Sequence, residues 1–183
     1  QALSFATSDA TVMLMWNYQG HTRPDFAIAP GPGQESAWDY PRPPVAKRCN
    51  REVEVKVGDT IVARTDSSYR LLETASPPTF YIPPTDVDWG QLVEADGSSV
   101  CEWKGAARYW ALASHPALPV GWDYPRPRAR FDLLKNHASF YPGRIDCFVD
   151  GERVRPQAGG FYGGWITDDV VGPFKGEPGT GHW

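Results

Sequence analysis

The sequence predicts a mainly β chain of short strands and long loops, with one substantial helix. Three observations carry this. Val53, Val55 and Val57 alternate with Glu52, Glu54 and Lys56, the period of a half-buried strand. The chain holds Gly 18 and Pro 18 in 183 residues, and proline is excluded from helix interiors and central strands. Only residues 129–140 carry a helical stripe, with Phe131, Leu134 and Ala138 on one side, Asp132 and Lys135 off it, and Pro142-Gly143 as the stop.

Residues 1–33 read as an extended arm, because Asn17-Tyr18-Gln19-Gly20 and Ala29-Pro30-Gly31-Pro32-Gly33 are turn signals without a sustained period. Trp16, Phe26 and Ile28 are its expected anchors. Residues 34–183 read as one domain with a Gly/Pro-rich tail at 172–183. Within it, 52–64 is a hairpin turning at Gly58-Asp59. Residues 69–74 form a strand ended by Pro77-Pro78, and Phe80-Tyr81-Ile82 is a short one closed by Pro83-Pro84.

The runs 100–104 and 107–112 read as a second hairpin, joined by the two residues Gly105-Ala106 in a type II′ turn. That register sets Cys101 opposite Trp110 and Trp103 opposite Arg108. Opposed residues share a face, so Cys101, Trp103, Arg108 and Trp110 fall on one side, and Glu102, Lys104 and Tyr109 on the other. A strand at 144–149, a turn at Asp150-Gly151, a return through Val154 and a glycine-rich approach to Trp165-Ile166-Thr167 complete the pattern.

Hydrophobic residues at 41% and charged residues at 22% are globular composition, enough for one core. Trp 8, Tyr 8 and Phe 8 supply large side chains to fill a loop-rich interior. A formal charge of −4 carries no nucleic-acid footprint. The apolar run Val12-Met13-Leu14-Met15-Trp16 is far short of the roughly 20 residues of a membrane helix, and no basic segment precedes it as a signal peptide would require. The first residue is Gln1, which leaves processing, truncation and an incomplete sequence open. Three unclustered cysteines, Cys49, Cys101 and Cys147, suit a reducing, cytoplasmic setting rather than a disulfide framework. With no CxxC pair and four scattered histidines, no metal or cofactor is expected. Asp86-Val87-Asp88 reads as a solvated loop.

One motif recurs: Trp38-Asp39-Tyr40-Pro41-Arg42-Pro43 returns as Trp122-Asp123-Tyr124-Pro125-Arg126-Pro127, each copy ahead of a strand and hairpin. Two equivalent docking surfaces in a fold of two similar halves are expected from it, in preference to a repeated ligand motif. Phosphate-loop, dinucleotide, metalloprotease and serine-hydrolase signatures are absent. The segment Cys101-Glu102-Trp103-Lys104-Gly105 is the main chemical candidate. A thiol near Arg108 is either a nucleophile or an inert residue on an apolar strand. Lys104 is either a ligand group or a solvated edge charge. Glu73, on one face with Tyr69 and Leu71, is either at the rim of the core or in a cavity.

Several segments together resemble the DUF427 family. They are 35–43, Leu72-Glu73-Thr74, Tyr81-Ile82-Pro83-Pro84, 101–110, Phe140-Tyr141-Pro142-Gly143-Arg144, 150–154, 160–165 and 171–176. The likeness runs from about Pro24 to Trp183. It implies a fold similar to the β-tent group, two small antiparallel sheets leaning together. The zinc knuckles of that group are missing here, so zinc is not carried over. The family also bears a nucleotidyltransferase label, which this chain supports poorly: Gly97-Ser98 follows Asp86 and Asp88 instead of preceding them.

A small-molecule pocket between the sheets is therefore expected, walled by Tyr81, Trp103 and Tyr109, with Glu73, Cys101, Lys104 and Arg108 as its polar groups. If catalytic, Cys101 would be nucleophile or redox thiol, with Glu73 or Lys104 moving protons. A non-catalytic aromatic cage and a structural interaction domain are the alternatives. Neither nucleic acid nor membrane is an expected partner, and oligomerisation is left open.

Overall fold

The computed structural model describes residues 16–183; the first fifteen residues of the expected arm, and the apolar run up to Met15, lie outside them. The alternating valines form the strand Val53–Val57, which folds back through Gly58-Asp59 into Thr60–Thr65. Asp146–Val149 and Glu152–Arg153 form a second hairpin. The two hairpins meet edge to edge, giving the sheet order Glu152–Arg153, Asp146–Val149, Val53–Val57, Thr60–Thr65. Val55 opposes Cys147 and Val53 opposes Val149, and all four point into the main core.

A second four-stranded antiparallel sheet runs Ser139–Phe140, His115–Asp123, Arg108–Leu112, Leu92–Ala95. The third has three strands, Val45–Cys49, Ser68–Leu72 and Thr79–Tyr81. Three two-stranded pairings complete the strands of the described residues: Val100–Cys101 with Gly105–Ala106, Arg155–Pro156 with Trp165–Ile166, and the parallel pair Glu35–Ser36 with Val170–Val171. The mainly β class is what the sequence predicts. The picture of two sheets is too coarse, because turns and prolines divide the strands into several small sheets, none closed.

The core has two principal parts. Val53, Val55, Phe80, Ile82, Phe140 and Trp165 centre the larger one. Leu71, Tyr81, Trp103, Trp122, Tyr124 and Phe131 form an aromatic one.

The substantial helix at 129–140 is absent. Ala129–Leu134 is a short 3-10 segment with non-helical backbone at Phe131, and Asn136 is left-handed at φ 58. Ala138 then exchanges both backbone hydrogen bonds with Ile82, at 2.7 and 2.9 Å, and Ser139–Phe140 joins a sheet. The apolar stripe was real, since Phe131, Leu134 and Ala138 are all buried. An isolated helix of that length is marginal, and strand pairing supplied better partners for its second half.

The repeated hexapeptide is not structurally repeated. In the first copy Ala37–Asp39 is a 3-10 turn, Asp39 pairs with Arg23 on the surface and Arg42 is buried. In the second, Trp122 and Asp123 end a strand, Asp123 is fully buried and Arg126 is exposed. The two copies are therefore not equivalent, although the hairpins that follow them do meet in one sheet.

Candidate functional site

The site begins with a turn. Cys101 pairs with Gly105 and Val100 with Ala106, so the hairpin closes through Glu102-Trp103-Lys104 rather than through Gly105-Ala106. Gly105 sits at φ 101, a conformation that suits glycine and lets the chain re-enter the strand directly after Lys104. The expected pairs Cys101–Trp110 and Trp103–Arg108 are thus overturned. Arg108 and Trp110 belong instead to the strand Arg108–Leu112, which pairs with His115–Asp123 and Leu92–Ala95. In a turn, side chains are released from strict alternation. Trp103 and Lys104 consequently both point inward and are buried.

Beside this turn lies a cavity of about 460 Å³. Leu71 and Thr79, opposed across two strands, line it on one side, as does Tyr81. Tyr109 and Trp122, opposed across two others, line it on another. The fit to ordinary ligand pockets is in size and in mainly aromatic walls with few polar groups. Of the expected site residues, Glu73, Tyr81, Cys101, Trp103, Lys104 and Tyr109 all line this cavity. Arg108 does not. Its guanidinium donates to both carboxylate oxygens of buried Asp123, at 3.0 and 2.6 Å, and lies 4.8 Å from the Trp110 ring centroid. Asp123 also accepts from Trp110 Nε1, so this triad holds the sheet together.

Lys104 is 7% exposed, with Nζ 5.5 Å from the Tyr124 ring centroid. Burial opposes its charge, but the acidic groups around it, Tyr81 and Cys101 ahead of Glu73, outweigh that and raise its pKa. Among the described residues no carboxylate forms an ion pair with it. Burial likewise raises the Tyr81 and Tyr124 phenols, and pushes Tyr141 up to about 12, so all three stay protonated donors at neutral pH.

Glu73 Oε1 accepts from Arg42 Nε and from Trp103 Nε1, both at 3.3 Å. Each terminal nitrogen of Arg42 also donates to a carbonyl oxygen, of Tyr18 at 2.9 Å and of Thr74 at 2.7 Å. Burial, then the neighbouring Glu73, raises the pKa of Glu102. Lys175 also lines the cavity, its Nζ 3.6 Å from the Trp16 ring centroid, and burial followed by Arg42 lowers its pKa to about 8.

Sequence reasoning missed Arg42, Glu102, Trp122, Tyr124 and Lys175. The repeated hexapeptide was the available signal for three of them, since its two copies carry Arg42 and the Trp122–Tyr124 wall. Lys175 comes from the distant tail and carried no local signal. Asp86 and Asp88 are used in local hydrogen bonds, the first with Thr65 and Thr85, the second with Gly90 and Gln91.

A family model described as a domain of unknown function, DUF427, matches residues 45–151, more than half of the chain. No curated protein matches it.

Proposed function

The chain belongs to the DUF427 family, and on that premise we propose that its cavity binds a small planar organic molecule carrying an acidic group. The observation that carries this reading is Lys104: a buried ammonium beside an aromatic-walled cavity, with no carboxylate of the described residues paired to it. A buried charge is costly unless matched by a counter-charge, and an acidic ligand supplies one. The aromatic side chains offer flat faces to a ring. A panel of aromatic carboxylates, followed by quenching of tryptophan fluorescence, tests it. Binding by wild type, weakened about tenfold or more in Lys104→Met, is expected. Equal affinity of the two proteins would sink the role of Lys104.

A second reading is thiol chemistry at Cys101, favoured by its place in the same cavity and its hydrogen-bonding contact with Lys104. An ammonium beside the sulfur stands where it can stabilise negative charge developing during attack on a bound ligand. Cys147 is an internal control, because burial raises its pKa well above the ordinary thiol value. Iodoacetamide is expected to label Cys101 faster than Cys147, and more slowly in Lys104→Met. Labelling indifferent to Lys104 would leave the cavity a binding site only.

A further inference from the structure

We infer that the cavity is built for a bipolar ligand, whose ring carries an amino group received by Glu73 and Glu102 in addition to the acid held by Lys104. This rests on the acid-binding reading and extends it to the other polar end of the cavity.

The polar groups fall into two sets. Lys104 stands with Tyr81, Tyr124 and Cys101. Glu73 and Glu102 stand with Arg42 and Lys175. The first set holds no direct ion pair with a carboxylate of the described residues, although Glu73 and Glu102 act on Lys104 at longer range. The second has acceptor positions that its resident donors leave unfilled. A carboxylate offers about four acceptor positions. Glu73 accepts two hydrogen bonds, both on Oε1, and its Oε2 accepts none from the described residues. Glu102 lines the cavity with no hydrogen bond or ion pair from them at all.

Neither resident cation fills this need. Arg42 is fixed by its bonds to Glu73, Tyr18 and Thr74, with its guanidinium carbon 4.4 Å from the Trp16 ring centroid. Lys175 rests on the same ring and donates to the main-chain oxygen of Trp183 at 3.4 Å. Glu73 and Glu102 act on its charge, but it makes no direct ion pair with either of them. An ammonium entering from the cavity would meet the free oxygens of both glutamates. Trp103 ties the two ends together: it donates to Glu73 and is flanked in the turn by Glu102 and Lys104.

Three indole probes separate the ends: tryptophan carries acid and amine, indole-3-propionate the acid alone, tryptamine the amine alone. Calorimetric titration of wild type is expected to give tryptophan about tenfold tighter binding than either single-ended probe. Glu102 is the residue to change, because Glu73 also anchors Arg42. Glu102→Gln should bring the tryptophan to indole-3-propionate affinity ratio down to about one, and Lys104→Met should do the same to the tryptophan to tryptamine ratio. Ratios within one variant cancel any loss of folded protein. If indole-3-propionate matches tryptophan on wild type, or the ratio survives Glu102→Gln, the bipolar assignment is overturned and the acid reading stands. If no indole probe binds while other aromatic acids do, the result is the same. If no acid of any kind binds, both readings fall.

Discussion

Arg42 and Lys104 are two buried cations with opposite tasks. The Arg42 side chain is 0% exposed and every contact it makes is internal: Glu73, two carbonyl oxygens and the Trp16 ring. Removing it strands those oxygens, so Arg42→Met should cost roughly 2–4 kcal/mol in urea denaturation. A loss below about 0.5 kcal/mol, the range of an ordinary surface change, would contradict this account. Lys104 holds no ion pair among the described residues, and methionine reproduces most of its aliphatic stem. Lys104→Met is therefore expected to shift stability by less than about 1 kcal/mol in either direction, while weakening acid binding. A loss of several kcal/mol would make Lys104 a structural residue.

At the level of elements, one turn decides the site. With the expected two-residue loop, Cys101 and Lys104 would face opposite sides of a strand and no single cavity would hold both. The three-residue turn Glu102-Trp103-Lys104 removes that conflict, and it depends on Gly105 at φ 101. Gly105→Ala should cost about 1–2 kcal/mol, since an L side chain is strained there. It should also disturb ligand affinity more than a substitution of equal cost in the hairpin Val53–Thr65, none of whose residues lines the cavity. Unchanged stability would mean the turn adopts another geometry in solution. Glycine matters differently at Gly163, where a Cβ would lie 2.1 Å from Trp122, the cavity wall. That close approach explains the glycine at this position, while Gly164 is held against Gln157 and Pro77 instead.

For the whole molecule, ion pairs tie segments far apart in sequence. Arg51 reaches Asp150 and Asp169, and Arg70 reaches Glu35 in the parallel strand pair. Burial pushes the Glu35 carboxyl up, but hydrogen bonds from Arg70 and Tyr40 outweigh it and hold it below its ordinary value. Arg51 lowers Asp150 in the same sense, chiefly by its hydrogen bond. Both folded pKa values lie below the unfolded ones, about 4. Their stabilisation is present above that pH and lost as pH falls through the lower folded values. The urea midpoint should therefore fall on going from pH 6 to pH 3. Glu35→Gln with Asp150→Asn should flatten that fall; an unaltered slope would place the acid sensitivity elsewhere.

The sequence alone determined the β class and the two hairpins, expected at 52–64 and around the turn Asp150-Gly151 and formed at 53–65 and 146–153, because these follow from local alternation and turn chemistry. Tyr81, Trp103 and Tyr109 do line the cavity, but Trp103 reaches it through a turn other than the one its register predicts. Legible too was that 129–140 hides an apolar face, as Phe131, Leu134 and Ala138 do. The secondary structure there was not. Spacings of three and four residues fit a helix, and they fit equally a 3-10 turn followed by a strand whose partner, Ile82, is over fifty residues away. The same limit separates the two copies of the hexapeptide. Identical residues meet different neighbours, so Arg42 becomes a buried anchor and Arg126 a surface charge. Local sequence sets which conformations are cheap, and long-range pairing and burial choose among them. Lys175 joins Trp16 and Glu102 at one cavity only because folding brings three segments far apart in sequence to the same place.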